Sequence, residues 1–427
     1  MESRPLPVSF GEAFRFWLKL GFISFGGPTG QIAIMHQELV ERRRWISESR
    51  FLHALNYCMV LPGPEATQLA TYIGWLMHRS WGGIVAGSLF VLPSLFILIA
   101  LSWIYVSWGN VPVVAGIFYG IKPAVTAIVL VAAHRIGSRA LRHPALWAIA
   151  AAAFVAIFAL RIPFPMIVIT AGLAGYVGGR LFAGVFSFQN TQQAQKTYGP
   201  ALIDDGMPTP PHALFSWRKF WAYAGSGLAL WLLVIGVLAA ASVWDGTLAQ
   251  MGWFFSKAAL LTFGGAYAVL PYVYQGAVEH YGWLTAPQMI DGLALGETTP
   301  GPLIMVVAFV GYVGAGVAGA LVATFFTFLP SFIFIFMGAP FIETTHGDLR
   351  FSAPLTGITA AVVGVILNLA VFFAYNVLWP RGMDGPFDWI SAAIGLAALA
   401  ALLRFKVGVM PVIGACALAG LAVTLLR

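Results

Sequence analysis

The string Phe25-Gly26-Gly27-Pro28 returns as Phe263-Gly264-Gly265-Ala266, at an offset of 238 positions. At that offset Phe16 matches Phe254, Lys19 matches Lys257, Trp45 matches Trp283, and Leu55 matches Leu293. A second breaker, Pro62-Gly63-Pro64, matches Pro300-Gly301-Pro302. One deleted residue then moves the offset to 237, where Gly82 pairs with Gly319 and Leu92-Pro93-Ser94 with Leu329-Pro330-Ser331. A full-length duplication limits the chain to two related halves. Both repeated strings are helix breakers inside apolar sequence, the pattern of a transporter whose substrate lies between its halves.

Of the 427 residues, 59% are hydrophobic and only 9% charged, against roughly 25% charged in soluble globular proteins. The whole length therefore belongs to the membrane. Residues 1–11 lack the short apolar core and small-residue cleavage site of a signal peptide. Cys58 and Cys416 sit in apolar helical sequence and form neither a metal motif nor a disulfide framework. The net charge of +7 fits the lysine and arginine excess of cytoplasmic loops, and equally an anionic substrate. No cofactor, metal or nucleic-acid partner is implied.

The expected architecture is an all-α polytopic membrane protein with two inverted-topology repeats and broken or re-entrant helices. An N-terminal repeat (1–182) leads to a linker (183–219) rich in Gln, Thr and Pro, expected to be mobile. A single linking helix (220–244) follows, then a C-terminal repeat (245–427). Long apolar runs meet the roughly 20-residue requirement for a span. The loops at 37–50 and 134–143 are basic; their equivalents, 279–291 and 381–388, carry acids and one arginine. Positive loops stay cytoplasmic, so equivalent loops face opposite sides and the one extra helix inverts the second half. The N-terminus is expected inside and the C-terminus outside. The broken segments allow 13 or 9 crossings, and the basic loop at 37–50 favours re-entry.

Irregular backbone at membrane depth must be covered by protein or line a cavity. At Gly26-Gly27-Pro28 one half-helix ends and another starts with proline, where a missing N–H costs nothing. The new N-terminus offers free N–H groups and partial positive charge to an anion. Glycine allows close approach. The same reasoning covers Gly63, Pro64, Gly264, Gly265 and Gly301. The alternative is that the breaks only shape tight helix packing. Lys19 and Lys257 either charge the site or snorkel to an interface. Lys122 is a further intramembrane cation. Glu65 and Glu297 break the repeat symmetry, facing Leu303 and Met59; either satisfies a helix dipole or carries a coupling proton. Thr67, Gln68, Thr298 and Thr299 are neutral candidates for oxyanion contacts, with Asn56 and Asn368 weaker ones.

In Phe25-Gly26-Gly27-Pro28, Leu61-Pro62-Gly63-Pro64-Glu65-Ala66, Tyr72-Ile73-Gly74-Trp75, Trp81-Gly82-Gly83, Glu297-Thr298-Thr299-Pro300-Gly301-Pro302 and Gly311-Tyr312, the chain resembles the chromate ion transporter family in its long, two-domain bacterial form. Ala266 departs from the pattern where the first half has Pro28. The resemblance covers nearly the whole chain. It implies export of chromate across the bacterial inner membrane, chromate resistance, and sulfate as a competitor of similar shape and charge. A homodimer is left open. There is no Walker A string for ATP. No clustered nucleophile, base or metal set points to an enzyme. A sulfate carrier and a passive anion channel are the rival readings.

Overall fold

A computed structural model describes residues 5–25, 27–109, 111–181, 198–205, 207, 210–242, 246–263, 265–344 and 352–426. Apart from one isolated β-bridge between Ile46 and Ile203, the regular structure among these residues is helical. Among the described residues seven helices are long and apolar enough to cross a bilayer, and α6 (Pro144–Phe158) and α14 (Trp389–Leu403) are shorter apolar helices.

The duplication is carried into the backbone. In the first half α1 (Phe10–Ile23) stops at the Phe-Gly-Gly string and α2 (Gly27–His36) restarts, running on as a π-helical turn (Gln37–Arg42). Then come α3 (Glu48–Cys58), α4 (Glu65–Trp108), α5 (Pro112–Ala140), α6 and α7 (Phe164–Leu181). After α8 (Trp217–Ser242), the second half repeats this order. It runs α9 (Thr247–Leu260), α10 (Ala266–Tyr274) with its π-helical turn (Gln275–His280), α11 (Ala286–Thr298), a 3-10 turn (Leu303–Met305), α12 (Val306–Thr344), α13 (Ser352–Leu378), α14 and α15 (Val409–Leu426). Even the π-helical turns coincide, and the hydrogen bonds closing them recur: Arg43 N–H to Glu38 C=O at 3.0 Å and Tyr281 N–H to Gly276 C=O at 2.8 Å.

α4 is two arms, 65–77 and 80–108, joined at His78–Arg79, a polar pair between two apolar runs. The arms fold back on one another, since a Cβ on Gly74 would strike the Gly82 carbonyl. α12 turns in the same way at Ala315–Gly316, where Gly311 meets Gly319. Arg79 has φ 56°, ψ −156°, and Gly316 φ 62°, ψ −153°. That conformation is almost confined to glycine.

The halves are interleaved rather than side by side. α5 packs on α14 and α15 of the second half, and α13 packs on α6 and α7 of the first. Equivalent small residues make both crossings close: Gly120 lies against Cys416 and Gly420, and Gly357 against Ala171 and Gly175. Small residues let helix backbones approach in a membrane, where apolar burial gives little drive for association. Cys416 serves this packing, and Cys58 is fully buried. α8 is largely exposed along its apolar length, at Leu228, Leu232, Leu233 and Val237.

Three expectations are corrected. α5 continues to Ala140, so His134, Arg135 and Arg139 are helical and the loop shrinks to 141–143; no breaker intervenes before Pro144. Asp291, placed in a loop by its charge, is buried in α11, because the capping box of Thr285 and Gln288 starts that helix six residues earlier. In the linker, residues 182–197 lie outside the described residues. The stretch at 202–203, expected to be mobile, is tied down instead. Leu202 N–H donates to Arg44 C=O at 2.8 Å, Ile203 N–H to Trp45 C=O at 3.1 Å, and Ser47 N–H to Ile203 C=O at 3.0 Å.

Strain at Arg79 makes a directional prediction. Arg79→Gly should stabilise the protein by about 1 kcal/mol, and Gly316→Ala should destabilise it by at least as much. Thermal melting in detergent checks both; a lower melting temperature for Arg79→Gly would show the arginine to be locally favoured.

Candidate functional site

The breaks of one half are completed by the breaks of the other. Gly63 N–H donates to Thr262 C=O at 2.8 Å, and Gly301 N–H donates to Ser24 C=O at 2.7 Å. Ser24 and Thr262 are equivalent positions, each just ahead of a Phe-Gly-Gly string. Both are fully buried, and their hydroxyls donate to their own helices, to Leu20 C=O at 2.6 Å and Ala258 C=O at 2.7 Å. The two Pro-Gly-Pro strings therefore reach across to the two Phe-Gly-Gly strings, so that each break is paired with one of the other half. Gly63 and Gly301 have φ of 129° and 107°, and Gly27 and Gly265 of 69° and 98°. Positive φ at these four sites is what directs the N–H groups and requires glycine.

Serines of the repeated Leu-Pro-Ser string close over these glycines. A Cβ on Gly63 would strike Ser331 Oγ and Gln68 Nε2, and one on Gly301 would strike Ser94. Gln31 donates from Nε2 to Gly301 C=O at 2.5 Å, and Gln68 from Nε2 to Pro62 C=O at 2.8 Å. Four buried atoms here have no partner: Gln31 Oε1, Thr67 Oγ1, Gln68 Oε1 and Ser331 Oγ. Their residues are at most 2% exposed. An unpaired buried polar group costs about 1–3 kcal/mol. They leave polar capacity beside the breaks that no protein group among the described residues uses.

Helix starts reinforce this. α4, α10 and the 3-10 turn before α12 begin without a side-chain cap. α5 and α9 also begin without one, whereas α1, α3, α11 and α14 begin under Ser9, Ser47, Thr285 and Asp388. Uncapped N-termini present backbone donors and positive dipole ends. The hydroxyls of Thr67 and Ser331 add donors, so the arrangement suits a small oxyanion.

The remaining candidates divide. Thr298 and Thr299 both flank the second break, but each hydroxyl donates to Leu295 C=O, at 3.0 and 2.6 Å, which occupies its proton. Glu65 opens α4 directly after Pro64 and is partly buried. Glu297 is 9% exposed and accepts from the Tyr267 hydroxyl, on the first turn of α10 beyond Gly265. Lys19 is exposed on α1, and Lys257 lies over the Trp253 ring, 5.6 Å from its centre, so neither reaches the breaks. The interface reading of these lysines fits that placement. Asn56 and Asn368 are partly buried on α3 and α13. Gly26 and Gly264 lie outside the described residues. Sequence reasoning did not single out Gln31 or Ser331. Ser331 was visible in the repeated Leu-Pro-Ser string; Gln31 carried no signal beyond a polar residue close after a break.

The model of a family described as "Chromate transporter" matches residues 11–176 and 249–421. The chain belongs to the chromate transporter family. The two matched segments coincide with α1–α7 and α9–α15, leaving the linker and α8 outside them. Within this family, a chromate transport protein of Pseudomonas aeruginosa is 34% identical over 98% of this chain and 94% of its own length. A chromate transport protein of Cupriavidus metallidurans is 32% identical over 92% of this chain and 87% of its own. An uncharacterized transporter of Methanocaldococcus jannaschii is 27% identical over 89% and 88%. No solved structure matches the chain. The protein is thus a multi-pass membrane protein of a transporter family, not an enzyme.

Gly63→Val and Gly301→Val each put a branched side chain at positive φ against a serine of the other half. Each should cost at least 2 kcal/mol of stability, read as a fall in detergent melting temperature. Ser331→Ala removes a polar atom that has no partner. It should leave melting unchanged or slightly raised while weakening ligand binding.

Proposed function

We propose that this protein is a secondary transporter that exports chromate from the bacterial cytoplasm, holding the oxyanion where the four helix breaks meet. The observation that carries the reading is the reciprocal pairing of the Pro-Gly-Pro and Phe-Gly-Gly strings, with uncapped helix starts and unpaired polar atoms around it. The substrate identity comes from the named relatives. Sulfate transport is the second reading, because the same donors suit either tetrahedral dianion.

Inverted repeats are supported by the course of the long arms. α4 leaves its turn beside Val8, whose carbonyl meets His78 at 2.9 Å, and ends where Tyr105 reaches Asp291. α12 leaves its turn with Gly314 against Met251 and Trp283, and ends where Glu343 meets Arg50. Re-entry is supported by Arg43. After the first break the chain returns to bring this residue within 3.7 Å of Glu12, near the start of α1. The fold-back of α4 at His78 returns the second hairpin to the same face. The proposal therefore has nine crossings, the N-terminus and linker in the cytoplasm, and the C-terminus in the periplasm.

A dianion leaving a negative-inside cell gains about 4.6 kcal/mol per 100 mV, twice the value for one charge. Export then needs no nucleotide. Glu297, beside the second break, and Glu65, at the first, are the residues proposed to carry a coupling proton.

Inverted vesicles containing the protein should take up labelled chromate above empty vesicles, with sulfate competing. Uptake of sulfate with chromate ignored would replace the first reading by the second. Gly26→Leu or Gly264→Leu should abolish uptake in protein that still inserts; normal uptake in both would remove the Phe-Gly-Gly strings from the site. Glu297→Gln or Glu65→Gln should flatten the pH dependence of uptake. A wild-type pH profile in both would exclude proton coupling through these residues.

A further inference from the structure

Among the described residues, two ion pairs with buried carboxylates lie away from the breaks, and neither is duplicated. Asp291 Oδ2 is 3.4 Å from Lys122 Nζ and accepts from the Tyr105 hydroxyl at 2.8 Å. Glu343 Oε2 is 3.2 Å from Arg50, and Glu343 Oε1 accepts from the Tyr72 hydroxyl. The carboxylate side chains are 4% and 6% exposed. Position by position, the other half has His53 for Asp291, Thr359 for Lys122, Gln288 for Arg50 and Val106 for Glu343. A buried ion pair is poor value as pure stabilisation, since apolar residues of the same volume hold a structure as well. Inside a membrane such groups mark pathways and moving parts.

Their placement says which parts. α11 leads into the break at 300–302, and Asp291 ties it to α5 and α4 of the first half. α3 leads into the break at 62–64, and Arg50 ties it to α12 of the second half. Each pair therefore fastens a break-bearing hairpin of one half to long helices of the other. They stand at opposite ends of the molecule. Tyr105 is 26 residues beyond the turn at Arg79, or roughly 39 Å along the helix, and that turn lies on the side of Val8 and His212, which bonds Trp75 C=O at 3.2 Å. Arg50 also donates to Met207 C=O of the linker at 3.0 Å, on the linker side. The meeting point of the breaks lies between, with Gly301 ten residues past Asp291 and Gly63 thirteen past Arg50.

We propose that Lys122–Asp291 and Arg50–Glu343 are latches, one at each membrane face, that open in alternation to give the anion access from one side at a time. This rests on the transport reading above. The latches are unequal. Glu343 uses both oxygens, and Arg50 is further held by Met207. Asp291 Oδ1 is buried without a partner, so its latch is held through a single oxygen. The Lys122–Asp291 latch is therefore the one that opens more readily at rest.

The test is side-specific thiol labelling of full-length protein with Cys58 and Cys416 replaced by Ala and a reporter Thr298→Cys. A membrane-impermeant maleimide is applied to spheroplasts for the outer face and to inverted vesicles for the inner. Lys122→Gln should raise outer relative to inner labelling by about tenfold, and Arg50→Gln should shift the ratio by a similar factor the other way. The reference protein, with both latches intact, should already label faster from the outside. Lys122→Arg, which keeps the charge, should hold the reference ratio, as should the exchange Lys122→Asp with Asp291→Lys. Shifts in the same direction for both neutral variants, or no shift in either, overturn the latches. Should Lys122→Gln fail to insert, Asp291→Asn gives the same arm of the test. Chromate flux is measured in the same vesicles: flux with an unmoved labelling ratio rejects the latches alone, and opposite shifts without chromate flux reject the substrate alone.

Discussion

Two backbone hydrogen bonds join the halves where neither half can satisfy itself. A peptide N–H inside a bilayer has no water to turn to, and a broken helix exposes several at once. Gly63 finds the Thr262 carbonyl and Gly301 the Ser24 carbonyl. Much else follows from this exchange. The glycines must lie at positive φ to aim their N–H groups. The facing helices must supply small serines, since a larger side chain would separate the strings. Gln31 and Gln68 donate to carbonyls at or beside the glycines themselves. The same exchange brings uncapped helix starts to one place, so the requirements of backbone pairing also assemble a site for an anion.

On this nearly symmetric scaffold the charged residues are distributed asymmetrically. The turns, the π-helical segments and the close glycine crossings recur in both halves. Glu65, Glu297, Lys122, Asp291, Arg50 and Glu343 do not. Symmetry supplies two interchangeable ways of holding the breaks, and asymmetry makes the two faces different.

Much of this was legible in the sequence, for reasons that can be named. Breakers such as Gly63-Pro64 announce themselves because few structures tolerate them in apolar surroundings, and their recurrence at a fixed offset removes coincidence. The turn at His78–Arg79 was marked by polarity between two apolar runs. What escaped depended on contacts between distant positions. Asp291 looks like a loop acid until Lys122 and Tyr105, from the other half, are beside it. Lys19 and Lys257 share an offset, which suggests a shared task, yet the face of the helix each occupies is decided by packing. Thr298 and Thr299 read as free donors because their own helix carbonyls are invisible in a string of letters. The crosswise seating of the halves left no local trace at all: a glycine that meets another 300 residues away, as Gly120 meets Gly420, looks like any other.

That crosswise seating also governs how the chain comes together as it is made. The α6–α7 hairpin packs on α13, and α5 on α14 and α15, so each half presents faces that only the other can cover. When α7 leaves the ribosome its partner is still about 170 residues away, on the basis of α13 beginning at Ser352. The first half must therefore wait in the bilayer with its glycine-lined grooves filled by lipid and its two breaks unpaired. It closes only after the second half has arrived. Assembly is then a late docking of two sets of helices, neither of which is complete without the other.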